Sequence, residues 1–272
     1  MDNLPVRDRM AVVFHGIVGG MNGRNGVGLP ISVSDCAKTI KHNVISTYDC
    51  DVFVHTWSMD QEGEIMLLYN PVSSLFQSQE YFGFTPKQVD GGDIGGMAFR
   101  TVSRYTSLER ALNLKQEYEK NNGFKYRWVI VLRFDLVFFT KLNLLILNNN
   151  SFYVCKEPHW PEIQNFNMVH DIVFLSNSNL MDKYGTLAND FRMKKYDPAS
   201  AHHCARQKLA EMFNNNLSWV KYCFNRYEDV EIYRLMSRPE QNPVGHAYGA
   251  LQTKNRFEKL LEEIDKYKYN EK

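Results

Sequence analysis

Apolar positions along the chain change their spacing several times, and each change predicts an element. Residues 10 to 18, MAVVFHGIV, form a short run rich in branched side chains, which Gly16, Gly19, Gly20, Gly23, Gly26 and Gly28 end or follow. That pattern predicts a buried strand entering a flexible loop. Beyond Pro30, either Ser32 or Ser34 is placed to cap a helix reaching about Thr47. Asp51-Val-Phe-Val-His-Thr-Trp57 then alternates, with Val52, Val54 and Thr56 on one face and Phe53, His55 and Trp57 on the other. Strand, helix, strand is the opening of a parallel sheet.

Residues 64 to 76 predict a short element broken at Asn70-Pro71, and the glycine-rich stretch from 83 to 96 predicts a loop. From Thr101 to Lys120, Leu108, Ala111, Leu112, Lys115 and Tyr118 recur at helical spacing, and Asn121-Asn122-Gly123 supplies the stop. The most apolar run of the chain, residues 128 to 139, predicts the central strand, buried on both faces. Further strands are expected around 151 to 155 and 171 to 175, and helices near 179 to 185, 198 to 214 and 253 to 268. The fold class expected is α/β, a Rossmann-like, mainly parallel sheet flanked by helices.

With 44% hydrophobic and 23% charged residues, 272 residues allow one large globular domain, the simpler expectation, or two small ones. The 32 basic and 31 acidic residues leave a net charge of +1, so no overall field favours nucleic acid or an anionic membrane. No apolar run approaches the length of a spanning helix, and the charged start MDNLPVRDRM does not read as a signal peptide, so a cytoplasmic location is expected. Five widely spaced cysteines without a C-x-x-C predict reduced, mostly buried thiols.

Candidate chemistry concentrates where charge interrupts apolar sequence. Arg133 and Asp135 stand two positions apart in the expected central strand, where alternation would put both side chains on one face. There a carboxylate suits a hard divalent cation on a diphosphate and a guanidinium suits phosphate oxygens. The other reading is a structural ion pair. The loop His15-Gly-Ile-Val-Gly-Gly20 follows the first strand but matches neither G-x-G-x-x-G nor a P-loop, leaving close approach of backbone to a ligand, or a plain turn. Adjacent His202, His203 and Cys204 cannot all face one ion from a helix, so they are read as helix surface and core. Asp171, opening a strand, is either a general base or a cap or surface ion pair.

Taken together, FHGIVGG at 14 to 20, DVFVHTW at 51 to 57, LLYNPVSSLFQSQ at 67 to 79, residues 105 to 138 ending in RFDLVF, and HDIVFLSNSNLMDKY at 170 to 184 carry a family likeness. The chain resembles GT-A type glycosyltransferases of bacterial polysaccharide gene clusters and large DNA viruses, in the family's order over about two thirds of its length. The resemblance implies transfer of a sugar from a nucleotide-sugar donor to a glycan or other hydroxyl acceptor. It also implies a single domain, with a nucleotide-binding half at about 10 to 140 and an acceptor-side half at about 141 to 272. In such enzymes a D-x-D at the end of this strand holds a divalent metal, Mn or Mg, against the donor diphosphate. Asp135 corresponds to its second acidic residue, while Arg133 stands where the first belongs, as a cationic substitute for part of the metal's role.

The site residues expected on this basis are Asp171 and Asp135 as catalytic, Asp135 as metal ligand, and His15, Gly16, Gly19, Gly20, Trp57 and Arg133 as donor-binding. Because the D-x-D is incomplete, the competing expectation is a catalytically silent protein of the same fold that binds a nucleotide sugar or carbohydrate. A nucleotide-dependent methyltransferase would open on a similar strand and glycine loop but has no place for the RFDL block.

Overall fold

A computed structural model of the chain describes residues 4–18, 31–85, 94–233 and 247–270. Its first strand, β1 (Val6–Gly16), is central because Met10 to Phe14 are all buried and feed both faces of a sheet. The strand is followed, after residues outside the described range, by α1 (Val33–Ile40), which Ser32 caps by accepting the Asp35 N–H at 3.2 Å. One π-helical stretch, Lys41–Ile45, extends this helix close to the expected end. The strand β2 (Cys50–Thr56) then lies parallel to β1, with His15 opposite His55. A short helix α2 (Glu62–Tyr69) ends where Asn70 takes a left-handed φ of 43°, and β3 (Ser73–Phe76) leaves the turn as an edge strand on β2.

Helix α3 (Ile94–Asn122) begins seven residues before the expected Thr101. Gly95 and Gly96 weaken the helical signal there without stopping the helix. Its end agrees with the sequence: Gly123 takes a φ of +69°, a conformation other residues adopt only with strain.

The expected single strand over 128 to 139 is two strands. β4 (Lys125–Leu132) stops at Leu132, residues 133 to 135 turn, and β5 (Leu136–Phe138) joins a separate antiparallel pair with β9 (Val230–Ile232). Arg133 and Asp135 therefore lie in a turn and not on a strand face. Apolar content could not reveal the break, because Phe134 is buried in the turn and stacks on Phe14 with ring centroids 5.1 Å apart.

Three more strands complete the main sheet: β6 (Phe152–Lys156), β7 (His170–Ser176) and β8 (Val220–Asn225). Among the described residues this sheet has seven strands in the order β3-β2-β1-β4-β7-β6-β8. Every neighbouring pair is parallel except the two made by β7, so β7 alone runs backward. Met10, Val12 and Phe14 join Val54, Ile130 and Leu132 in a core closed by α1. On the opposite face Ala11, Val13, Phe53, Val129 and Val131 meet α3, together with α4 (Ser178–Gly185), α5 (Leu187–Arg192) and α6 (Ala201–Met212). A last helix, α7 (Ala247–Asn270), packs Phe257 near Val137 and Cys36. The architecture is thus a mostly parallel sheet between helical layers, as expected. All five cysteines are free thiols, with Cys36, Cys155 and Cys204 buried and Cys50 and Cys223 partly so. No helix among the described residues is long and apolar enough to cross a membrane.

Candidate functional site

The order β3-β2-β1-β4 reverses direction of growth between β1 and β4, and in open α/β sheets ligands bind outside the carboxyl ends of the strands at such a switch point. Four of the expected positions stand there because β1 ends on His15-Gly16 and β4 gives way to the turn carrying Arg133 and Asp135. The reversal of β7 adds a fifth. Val173 pairs with Leu132, the last residue of β4, so Asp171 lies beyond that end, level with the turn.

Gly16 has a φ of +100°, which only glycine adopts without strain. Its N–H donates to Ser107 Oγ of α3 at 2.7 Å, and its carbonyl accepts the Trp57 N–H at 3.2 Å. Ser107 completes a chain of hydrogen bonds, meeting His55 Nδ1 at 2.7 Å while His55 Nε2 meets Gln77 Oε1 at 3.1 Å. Burial holds the His55 ring at a pKa of about 4, with the Gln77 bond opposing and Arg110 assisting, so the ring is neutral. A neutral ring that donates from Nε2 accepts at Nδ1, so Ser107 gives its hydroxyl proton to His55 and receives the Gly16 N–H. Gly16→Ala is expected to cost about 1–2 kcal/mol from the left-handed backbone alone and to loosen this anchor, read as a lower melting temperature.

Trp57 sits at the same edge but on the α3 side. Its indole donates to the Ser103 carbonyl at 3.3 Å and its ring lies 4.9 Å from the Arg110 guanidinium. Gly19 and Gly20 fall outside the described residues.

Arg133 and Asp135 face each other in a forked pair, Nε to Oδ1 at 2.8 Å and Nη2 to Oδ2 at 2.5 Å. The guanidinium expected to meet phosphate is thus paired with the neighbouring carboxylate. Both Asp135 oxygens being engaged, that residue is not a preformed cation ligand. Among the described residues no group of three or more His, Cys, Asp or Glu side chains could hold a metal ion. Asp135 would hold Mg or Mn there only by leaving Arg133, with water and diphosphate oxygens supplying the other ligands.

Asp171 is almost fully buried. Its Oδ2 meets Arg104 Nη1 at 2.5 Å, its backbone carbonyl also accepts from Arg104, and its Oδ1 lies 3.3 Å from His202 Nδ1. Burial would raise this carboxyl, but Arg104 first, then His202, His170 and Arg133, outweigh it and hold the group far below the usual carboxylate range. Burial pushes the His15 ring well below its ordinary pKa, and the cations Arg104 and Arg133 push it further. The two charged pairs therefore act on one another, since Arg133 also acts on Asp171, and Asp135 on Arg104. Among the described residues, His15 Nδ1 and Arg104 Nε are buried without a hydrogen-bond partner, an arrangement that costs free energy unless something polar reaches them.

Arg104 and His202 were not among the expected site residues. Arg104 had one signal, since it precedes Leu108 by four residues and so places a charge on the apolar stripe of α3. His202 and its neighbours His203 and Cys204 cannot share one ion from a helix, but that geometric objection does not touch one histidine acting alone. The chain matches no protein-family model, and no curated protein matches it.

Proposed function

We propose that this chain is a glycosyltransferase of the GT-A type, moving a sugar from a nucleotide-sugar donor to a hydroxyl of a glycan or other acceptor. The observation that carries the reading is the meeting at one sheet edge of four segments on which the family resemblance rests. These are His15-Gly16, Trp57, Arg133 to Asp135 and His170-Asp171. Sugar transfer needs a cation at the leaving diphosphate and a pocket that excludes water from the anomeric carbon. Arg133 meets the first need by exchanging Asp135 for phosphate oxygens, which match the same fork.

The closed Arg133–Asp135 pair favours one second reading, a silent protein that binds nucleotide sugar without turnover. Incubation with a panel of UDP- and GDP-sugars, with and without manganese, separates the two. Release of free nucleotide, falling about tenfold or more in Arg133→Ala, is the expected result. Thermal protection by a nucleoside diphosphate without release would support the silent binder, and neither release nor protection would end both readings.

A further inference from the structure

We propose that His202, and not Asp171, takes the proton from the attacking acceptor hydroxyl, with Asp171 as the residue that positions the ring; the inference rests on the sugar-transfer reading. Asp171 has the wrong surroundings for a base. Arg104 and His202 occupy its two oxygens, and little of it reaches solvent. A carboxylate held by a guanidinium gains little from binding a proton.

His202 has the complementary geometry. It lies in the first turn of α6, and 35% of its side chain is exposed. Its Nδ1 is 3.0 Å from the Val169 carbonyl oxygen and 3.3 Å from Asp171 Oδ1. Both of those atoms only accept, so Nδ1 carries the hydrogen, and in the neutral ring the lone pair belongs to Nε2. The Val169 N–H in turn donates to the His202 carbonyl at 3.3 Å, tying the start of α6 to the entry of β7. The rings of Trp160 and His170 pack against the imidazole with centroids 5.2 and 5.6 Å away. The titratable groups against the ring are Asp171 and His170 from β7, with Arg104 of α3 on the other oxygen of Asp171 and Arg206 four residues further along α6, donating to the Phe166 carbonyl. A fixed tautomer, a carboxylate on the protonated nitrogen and the other nitrogen as base form the arrangement that makes a histidine an effective proton acceptor.

The step is a single displacement with inversion. The acceptor O–H bond breaks and its proton moves to Nε2, while the oxygen forms the new bond to the anomeric carbon. The bond from that carbon to the diphosphate oxygen breaks, and its electron pair leaves with the nucleoside diphosphate. Asp171 offsets the positive charge the ring acquires.

The test uses the full chain with UDP- and GDP-sugars as donors, and water or p-nitrophenyl glycosides as acceptors. His202→Ala and His202→Gln should lower the turnover rate by about 10²- to 10⁴-fold while the nucleoside diphosphate still raises the melting temperature. Added imidazole should restore part of the rate to His202→Ala, and the acid limb of kcat/KM should flatten in that variant. Asp171→Asn, similar in shape but uncharged, should lower kcat more than it raises KM and alter the same limb. Full activity in His202→Ala overturns the inference while leaving sugar transfer intact. Loss of activity with an unchanged pH profile and no imidazole rescue makes His202 structural and also overturns it. A wild-type chain that neither releases nucleotide nor gains thermal protection removes the sugar-transfer reading itself, and this inference with it.

Discussion

Glu119→Ala is expected to destabilise the fold by about 3–5 kcal/mol, the range for breaking a buried ion pair by removing one partner. Glu119 is fully buried on α3 and fills both oxygens. One accepts the Tyr126 N–H at 2.9 Å and the Ser178 hydroxyl at 2.6 Å; the other accepts Lys115 at 3.0 Å and Lys125 at 2.8 Å. Alanine would leave two lysines sharing Asp182 alone, one of them, Lys115, fully buried, with a backbone N–H at Tyr126 that nothing satisfies. Glu119→Gln keeps the shape and loses the charge, so it should fall between the two. Urea unfolding checks both, with the midpoint moving and the slope unchanged. A loss under about 1 kcal/mol would mean that water reaches the cluster and screens it. Because Lys125 and Tyr126 open β4 and the candidate site lies beyond its other end, activity per folded molecule should be preserved.

Lys115 shows how far the sequence can be read. Its place in the helical period of Leu108, Ala111 and Leu112 puts it on the buried stripe of α3, one turn before its partner Glu119, yet its other partners Asp182 and Ser178 lie more than sixty residues away, where no local pattern points. The same division runs through the fold. MAVVFHG and DVFVHTW are legible because branched and aromatic residues bounded by turn signals have few other uses. The strand β8 is not legible because VKYCFN has only two buried positions, and β9 because three residues carry no period. At the site, Arg133 and Asp135 were visible as charges in an apolar run, and so was their ability to meet. What they meet was not, since the turn after Leu132 is as apolar as a strand would be. Arg104 and His202 reach Asp171 only because α3 and α6 both lean over the start of the reversed strand β7. A reversal of strand direction is set by long-range pairing, which no stretch of residues announces.

Acidification to pH 5 is expected to lower the stability by about 4 kcal/mol or more, through histidines that the fold buries uncharged. Burial lowers His170 to about 3 and His55 to about 4, and puts His15 well below the ordinary value near 6.5. Each folded-state pKa lies below the unfolded one, so between them the unfolded chain binds a proton that the folded chain refuses, and stability falls as pH falls from about 6.5. A ring still neutral in the fold at pH 5 loses about 2 kcal/mol by this linkage. His55 and His170 together cost about 4 kcal/mol, and His15 adds to that in the same direction, against a typical domain stability of roughly 5–15. Asp171 acts later and in the same direction: its lowered carboxyl stabilises the fold above the usual value of 3.8, and that contribution is lost as pH falls below it. Glu231 works the other way, because burial raises its carboxyl and acid then favours the fold, but it is one group against three. Unfolding free energy measured in urea between pH 7 and 5 should therefore fall with a slope that reaches two to three protons taken up per molecule, or about 3–4 kcal/mol per pH unit. His170→Gln should reduce that slope by about one proton whatever it does to stability at neutral pH. A stability curve flat to pH 5 would show that water or a protein group reaches these rings and lets them charge in place.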